Sequence, residues 1–418
     1  LLGWNEWGVR LPYALVFTAT IMLIFVIARR ITPDSPWLPP LIYATFLFPY
    51  CAANIVTTDT LLTLWETLAV LGFVESWHHR GPGRSPFLLI MWGGFGLAFL
   101  TKGPPGLLPL LAITVFVLLT EGWKKIPRLL SINGIILFIL VGLGWYMMVA
   151  IAHPGLMTYF IRDEFVNRIG SGVHHRNPQW FKPFVLYIPV LIFGALPWIL
   201  SLFRKIRYFL LAMLSRQWWR DKLANDKWPV FLLLWFCLPL AVFFLSSSRL
   251  PLYILPLFVP LSLIIGRVTL FDFKNSVVPY LLLVWVIVLV SLKFVGSVYP
   301  YDKDSREMAK AVQSAVHPAP QEIVFIDTEP FWGLSLYLHC EVERVASSDR
   351  NSARTSSDEL LSSELLENES GRKLFIIDKR KTEPLHTVCR KLGYDARTLG
   401  EYGSWIFIVP EKAFRKTS

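Results

Sequence analysis

Apolar stretches of bilayer length follow one another from residue 12 to residue 297, and they constrain this chain more than any other feature. Hydrocarbon admits only backbone whose N–H and C=O groups are bonded internally, so each stretch must be helical. About ten are readable: Pro12–Arg29, Trp37–Val56, Thr60–Trp77, Pro86–Thr101, Pro105–Thr120, Ser131–Ala150, Phe184–Phe203, Pro229–Ser246, Leu250–Val268 and Val277–Ser297. Each approaches the ~20 residues needed to cross. With 54% of the 418 residues hydrophobic and 17% charged, an ordinary soluble enzyme is excluded. The fold class expected is an α-helical polytopic membrane protein with a small C-terminal extracytoplasmic α/β domain, divided as 1–297 and 298–418.

Cationic loops are retained in the cytosol, so the positions of Lys and Arg orient the spans. Alternate loops carry Arg29, Arg30, Arg80, Arg84, Lys124, Lys125 and Arg128, then the basic segment 204–227, then Arg267 and Lys274. These make 16 of the 24 Lys and Arg before residue 298. Asp59, Lys102, the loop Ile151–Pro183 and everything beyond Ser297 are therefore expected outside. The net charge of +11 divides into +13 before residue 298 and −2 after it. Its excess is topological, so no nucleic-acid partner is expected. Membrane lipids are, and Trp218-Trp219 in the 204–228 loop is placed to rest on anionic headgroups.

The segment Ala52-Ala53-Asn54-Ile55-Val56-Thr57-Thr58-Asp59-Thr60-Leu61-Leu62 sets a lone acid between two apolar stretches. An acid there is costly, which marks Asp59 and its membrane face as functional; the plain alternative is a helix cap for the span that follows. Glu66, seven residues on, shares a helix face with Asp59 and reads as the buried partner of a neighbouring helix. Cys51 and Cys237 fall in apolar spans as small hydrophobes. Cys340 and Cys389 lie in the outward tail, where a disulfide is allowed. Leu1-Leu2-Gly3-Trp4 reads neither as a signal peptide nor as a natural start, so the expected protein is longer, with at least one earlier span.

Beyond Tyr299 the pattern changes. Glu322–Asp327 and Lys373–Asp378 are short apolar runs typical of buried strands, and Ser404–Val409 reads as a third strand. Asp304–Val316 and Ser357–Glu369 read as helices. A largely parallel sheet is expected, and with no glycine-rich phosphate fingerprint the domain is assigned to docking or stabilisation.

Five segments together carry a resemblance. They are Gly3-Trp4-Asn5-Glu6-Trp7-Gly8-Val9-Arg10-Leu11-Pro12, Thr57–Leu62, Phe99-Leu100-Thr101-Lys102-Gly103-Pro104-Pro105-Gly106-Leu107, His174-His175-Arg176-Asn177-Pro178-Gln179-Trp180, and Arg249-Leu250-Pro251-Leu252-Tyr253-Ile254-Leu255-Pro256. In this order, over residues 1 to about 268, the chain resembles the membrane-embedded GT-C glycosyltransferases that use polyprenyl-phosphate sugars. The nearest groups are protein O-mannosyltransferases and lipid A aminoarabinose transferases. The resemblance implies a bacterial inner-membrane enzyme that moves a sugar from a polyprenyl-phosphate donor to an extracytoplasmic lipid or protein acceptor, with inversion. It also implies an acidic first outward loop bearing the general base, which this chain lacks. The piece in hand is therefore expected to be inert while the longer protein is the catalyst.

A phosphate leaving at the membrane interface needs cations where the dielectric is low. By the resemblance Lys102, Arg168, Arg249 and Tyr253 bind the donor phosphate, Asp59 is catalytic or positions the acceptor, and His174, His175 and Arg176 form a substrate loop. The plain alternatives are snorkelling for Lys102 and the interfacial aromatic belt for Tyr253. Arg249 and Tyr253, four apart, are expected on one helical face. His174 or His175 is available to join a carboxylate around a divalent metal, although adjacent residues diverge in a regular element. Glu6 and Arg10 read as interfacial anchors. The competing classes are a transporter or flippase, which would place polar groups near mid-bilayer, and an inactive scaffold.

Overall fold

The structure, a computed structural model, describes residues 3–79, 85–153, 179–202, 211, 214–268, 277–299, 304–347, 359–367 and 373–412. It contains two compact units, Val9–Phe294 and Leu1–Gly8 together with Val295–Ser418.

Among the described residues, the regular elements of the first unit are all helices. Six described segments are long and apolar enough to cross a membrane: Glu6–Ile31, Pro104–Glu121, Ile132–Ala152, Trp228–Leu245, Pro251–Val268 and Pro279–Val298. Phe87–Lys102 and Lys182–Gly194 are shorter apolar helices. Thr58–His78, at 21 residues, is long enough but carries Asp59, Glu66 and Glu75. The protein is multi-pass.

The stretch Trp37–Val56, expected as one span, is two short helices, Leu38–Thr45 and Leu47–Ala52, with Phe46 extended between them. Pro49 explains the break, because its ring excludes the carbonyl of residue 45 from helical bonding. That carbonyl is not abandoned. The Trp285 indole donates to Thr45 O at 2.8 Å, and the Trp198 indole donates to Thr45 Oγ1 at 2.8 Å.

Helices Thr58–His78 and Phe87–Lys102 approach more closely than side chains would allow. A Cβ on Gly72 would stand 2.3 Å from the backbone N of Met91, and one on Gly94 would stand 2.7 Å from that of Ala69. Small residues bring membrane helices to such distances because packing, rather than water exclusion, holds them together. The aromatic rings of Phe73, Phe116 and Phe231 fill the neighbouring core, with centroids 5.2 to 6.0 Å apart.

In the second unit six strands form one sheet: β1 (Glu322–Ile326), β2 (Glu341–Ala346), β3 (Glu359–Leu360), β4 (Lys373–Asp378), β5 (Tyr394–Tyr402) and β6 (Trp405–Lys412), in the order β3-β2-β1-β4-β6-β5. Strands β1 to β4 pair in parallel, whereas β6 runs antiparallel to β4 and closes a hairpin with β5. The apolar runs of β1 and β4 are the sheet's interior, buried on both faces. Helix Ser305–Ala315 is capped by Asp304, whose carboxylate accepts the Arg306 N–H at 2.9 Å. Cys340 packs with Ile323 and Phe325, while Cys389 packs with Val324 and Ile326. Alternate residues of a strand face opposite ways, so the two thiols lie on opposite faces of the sheet and both are free. Burial pushes the Cys389 thiol up to about 11.

Candidate active site

Thr57, not Asp59, caps the helix Thr58–His78. Its hydroxyl accepts the Asp59 N–H at 3.3 Å and donates to Asp59 Oδ2 at 2.8 Å. Asp59 thus sits in the first turn, where the positive end of the helix dipole favours a carboxylate. It is nevertheless only 4% exposed. Its other oxygen, Oδ1, accepts a hydrogen bond from Lys102 Nζ.

Lys102 is delivered by the end of its helix. Gly103 follows at φ +70°, a conformation that other residues resist, and its N–H bonds Phe99 O at 2.6 Å. Pro104 then opens a 3₁₀ turn, Pro104–Leu107, so the chain reverses within a few residues. The ammonium left at the turn lies 4.5 Å from the centre of the Tyr253 ring. One cation is therefore held between a buried carboxylate and an aromatic face, and its attraction to both is strengthened by the low dielectric around it.

Arg249 reaches the same neighbourhood by another route. Pro251 forces the preceding residue out of helical conformation, and Leu250 is extended (φ −132°, ψ 150°). Arg249 and Tyr253 hence do not share a helical face as their spacing suggested: Tyr253 is in the 3₁₀ segment Pro251–Leu257 and Arg249 precedes it. The guanidinium is 5% exposed, and it donates from Nη1 to Gln179 O (3.1 Å) and from Nη2 to Phe244 O (3.2 Å). It ties the far edge of the 151–183 loop to the helix Trp228–Leu245.

Two residues beyond the expected set belong here. Glu66 is buried and lies within the electrostatic reach of Lys102 and Asp59. Tyr187 is fully buried beside Arg249 and Tyr253, its hydroxyl without a hydrogen-bond partner among the described residues. The polar run Asp59, Thr63, Glu66, Thr67, at helical spacing and all buried, was a readable signal for Glu66. A single Tyr within an apolar span gave none for Tyr187. Arg168, His174, His175 and Arg176 fall outside the described residues, and so does the metal set expected around the two histidines. Among the described residues, only Glu322, Glu343 and Glu364 group three metal-capable side chains, and they belong to the sheet unit, where Lys373 already pairs with Glu322 at 3.0 Å and with Glu364. Glu6 hydrogen-bonds Tyr337 at 2.7 Å within the second unit.

Residues 1–150 match a family model described as dolichyl-phosphate-mannose-protein mannosyltransferase. The chain is 31% identical over 283 residues to an undecaprenyl phosphate-alpha-4-amino-4-deoxy-L-arabinose arabinosyl transferase of Pseudomonas fluorescens, covering 65% of this chain and 47% of the relative. To the transferase of the same description from Pseudomonas aeruginosa it is 30% identical over 275 residues, covering 64% and 46%. The chain spans about half the length of the curated relatives it matches. In fold it is similar to ArnT from Cupriavidus metallidurans, in the crystal structure bound to undecaprenyl phosphate, with a TM-score of 0.73 at 17% identity, over 97% of this chain and 84% of that one. The resemblance carried by the five motifs is thereby borne out: the chain has the GT-C fold and is similar in sequence to the membrane transferases of polyprenyl-phosphate-linked sugars.

Proposed function

We propose that the complete protein is a glycosyltransferase of the bacterial inner membrane, moving a sugar from a polyprenyl-phosphate donor to a lipid or protein acceptor on the extracytoplasmic side. The observation that carries this reading is the Lys102 ammonium held between Asp59 and Tyr253 inside a helical membrane unit. The relatives' names support an amino-deoxy-pentose as the donor sugar. The distribution of Lys and Arg supports an outward-facing site, with residues 298–418 outside as a docking or stabilising domain.

In this reading, Asp59 and Lys102 occupy one another until a donor arrives. The donor's phosphate competes for the ammonium and releases the carboxylate. An acceptor oxygen then attacks the anomeric carbon from the face opposite the phosphate. The new C–O bond forms as the old one breaks, the electron pair leaves with the phosphate, and Asp59 takes or orients the acceptor proton. One displacement inverts the centre. Lys102 stabilises the charge that grows on the leaving phosphate, with Tyr253 fixing the ammonium and Arg249 holding the loop edge behind it. Arg168 is proposed to bind the donor phosphate, and His174, His175 and Arg176 to belong to a substrate-binding loop.

The test is release of polyprenyl phosphate by the full-length protein in membrane vesicles. Asp59→Asn should lower kcat by at least ~100-fold, the scale of a lost acid–base or orienting group. Lys102→Met should lower kcat/KM by a similar factor. Wild-type rates in Lys102→Met would sink the proposal, as would movement of the intact lipid-linked sugar across the bilayer without transfer.

A further inference from the structure

Buried hydroxyls in the helical unit find acceptors close by. Those of Thr32, Thr63 and Thr67 each donate to the carbonyl four residues back, at 2.6 to 3.0 Å. Tyr187 departs from this. It is 0% exposed, and among the described residues its hydroxyl is the one buried hydroxyl with no hydrogen-bond partner. A phenylalanine would fill the same space without stranding a polar group, so the hydroxyl costs stability unless a ligand completes it.

Its surroundings say which ligand that is. Tyr187 packs in an apolar cluster with Phe243, Ile254 and Leu257, its ring centre 5.8 Å from that of Phe244. Phe243 lies 6.3 Å from the Tyr253 ring, whose face holds Lys102, and the carbonyl of Phe244 accepts from Arg249. Side chains lean toward the N-terminus of their helix, and the helix Lys182–Gly194 begins beside Gln179, the other carbonyl on Arg249. The Tyr187 hydroxyl is therefore carried toward the guanidinium, and Arg249 and Tyr253 are the polar groups within its electrostatic reach among the described residues. A hydroxyl proton still to be donated, next to a buried cation, suits an anionic oxygen.

We propose that the Tyr187 hydroxyl donates to a phosphate oxygen of the lipid-linked donor, which makes Tyr187 a further substrate-binding residue. The inference rests on the transfer reading and deepens it. The hydroxyl is closed to solvent in the unliganded protein. A phosphate that draws Lys102 off the Tyr253 ring frees that ring, which is half-buried against the Tyr187 cluster, and its displacement opens the way to the hydroxyl. A trapped water is a poorer occupant, because it needs several polar partners and the walls are otherwise apolar.

Tyr187→Phe removes the hydroxyl and little else. Full-length protein in nanodiscs is melted alone and with polyprenyl phosphate, neutral polyprenol or inorganic phosphate, while release of polyprenyl phosphate from the donor is assayed in parallel. Without ligand the variant should melt no lower than wild type, because no hydrogen bond is lost. Its dissociation constant for polyprenyl phosphate should rise about tenfold, as for one hydrogen bond to a charged group, and the KM for the donor should rise in step. Binding of polyprenol should not change. Unaltered affinity for polyprenyl phosphate in the variant would overturn the inference, as would an equal loss for neutral polyprenol. So would a lower melting temperature of the unliganded variant, which would show the hydroxyl satisfied within the protein. Protection of wild type by inorganic phosphate alone, equal to that by polyprenyl phosphate, would also overturn it by detaching the site from the lipid carrier. If the variant loses affinity as expected but neither protein releases polyprenyl phosphate, the transfer reading falls and the phosphate contact stands. If wild type releases it and the variant matches its KM, the inference alone falls.

Discussion

At the scale of single residues, the site is a set of commitments that substitution should expose. Lys102 and Asp59 are mutually satisfied in a buried place, so removing one leaves the other uncompensated. Breaking such a pair costs about 3–5 kcal/mol. Lys102→Met should thus lower the unfolding temperature in detergent, and the double variant with Asp59→Asn should recover much of that loss without recovering activity. Arg249→Ala should cost about 2 kcal/mol by stranding the carbonyls of Gln179 and Phe244. Glutamine at that position, with a single amide, should restore only part of it. The sequence made Asp59 and Lys102 legible because an isolated charge in an apolar context is informative by itself. Its plain alternative put the cap on Asp59: Asp is the better cap by type, and only the backbone turn at Thr57 gives the role to that residue.

Elements were legible where hydrophobicity is continuous, and illegible where polarity and proline interrupt it. The two apolar strands at the middle of the sheet were evident, but β2 and β5 were not. Glu341-Val342-Glu343-Arg344 and the Tyr394–Tyr402 strand are half-exposed and rich in charge, so no apolar run announces them. Arg249 and Tyr253 were placed on one face because four-residue spacing means that only inside an α-helix, and Pro251 ends that condition. The Gly72 and Gly94 contacts carry their own prediction. Gly72→Ala drives a methyl into the Met91 backbone, which should cost about 1–3 kcal/mol. Because the same two helices bear Asp59 and Lys102, it should also reduce transfer activity without touching either residue; wild-type thermal stability in this variant would contradict the packing described.

For the whole molecule, the two units should answer to different variables. The sheet unit carries an acid-sensitive group: Asp378 accepts hydrogen bonds from the Arg380 guanidinium and backbone N–H, which lower its pKa to about 2. Its folded value is below its ordinary one, so its contribution is complete above about pH 4 and disappears as the pH falls through about 2. Asp378→Asn should flatten this limb of a thermal-stability profile against pH and leave the neutral region little changed in shape. The thiols give a second readout. Cys340 and Cys389 should both be trapped by alkylation after denaturation of unreduced protein, and Cys389 should react slowly beforehand.

The break at Phe46 reaches beyond its own two short helices. Thr45 O waits for a donor on Trp285, 240 residues later in the chain. Ribosomes deliver proteins from one end, so an early membrane segment is inserted long before the tryptophan that completes it exists. Its settled position belongs to a helix that arrives much later, and a nascent chain halted short of residue 277 would hold Leu38–Thr45 and Leu47–Ala52 without the indole that closes the break between them.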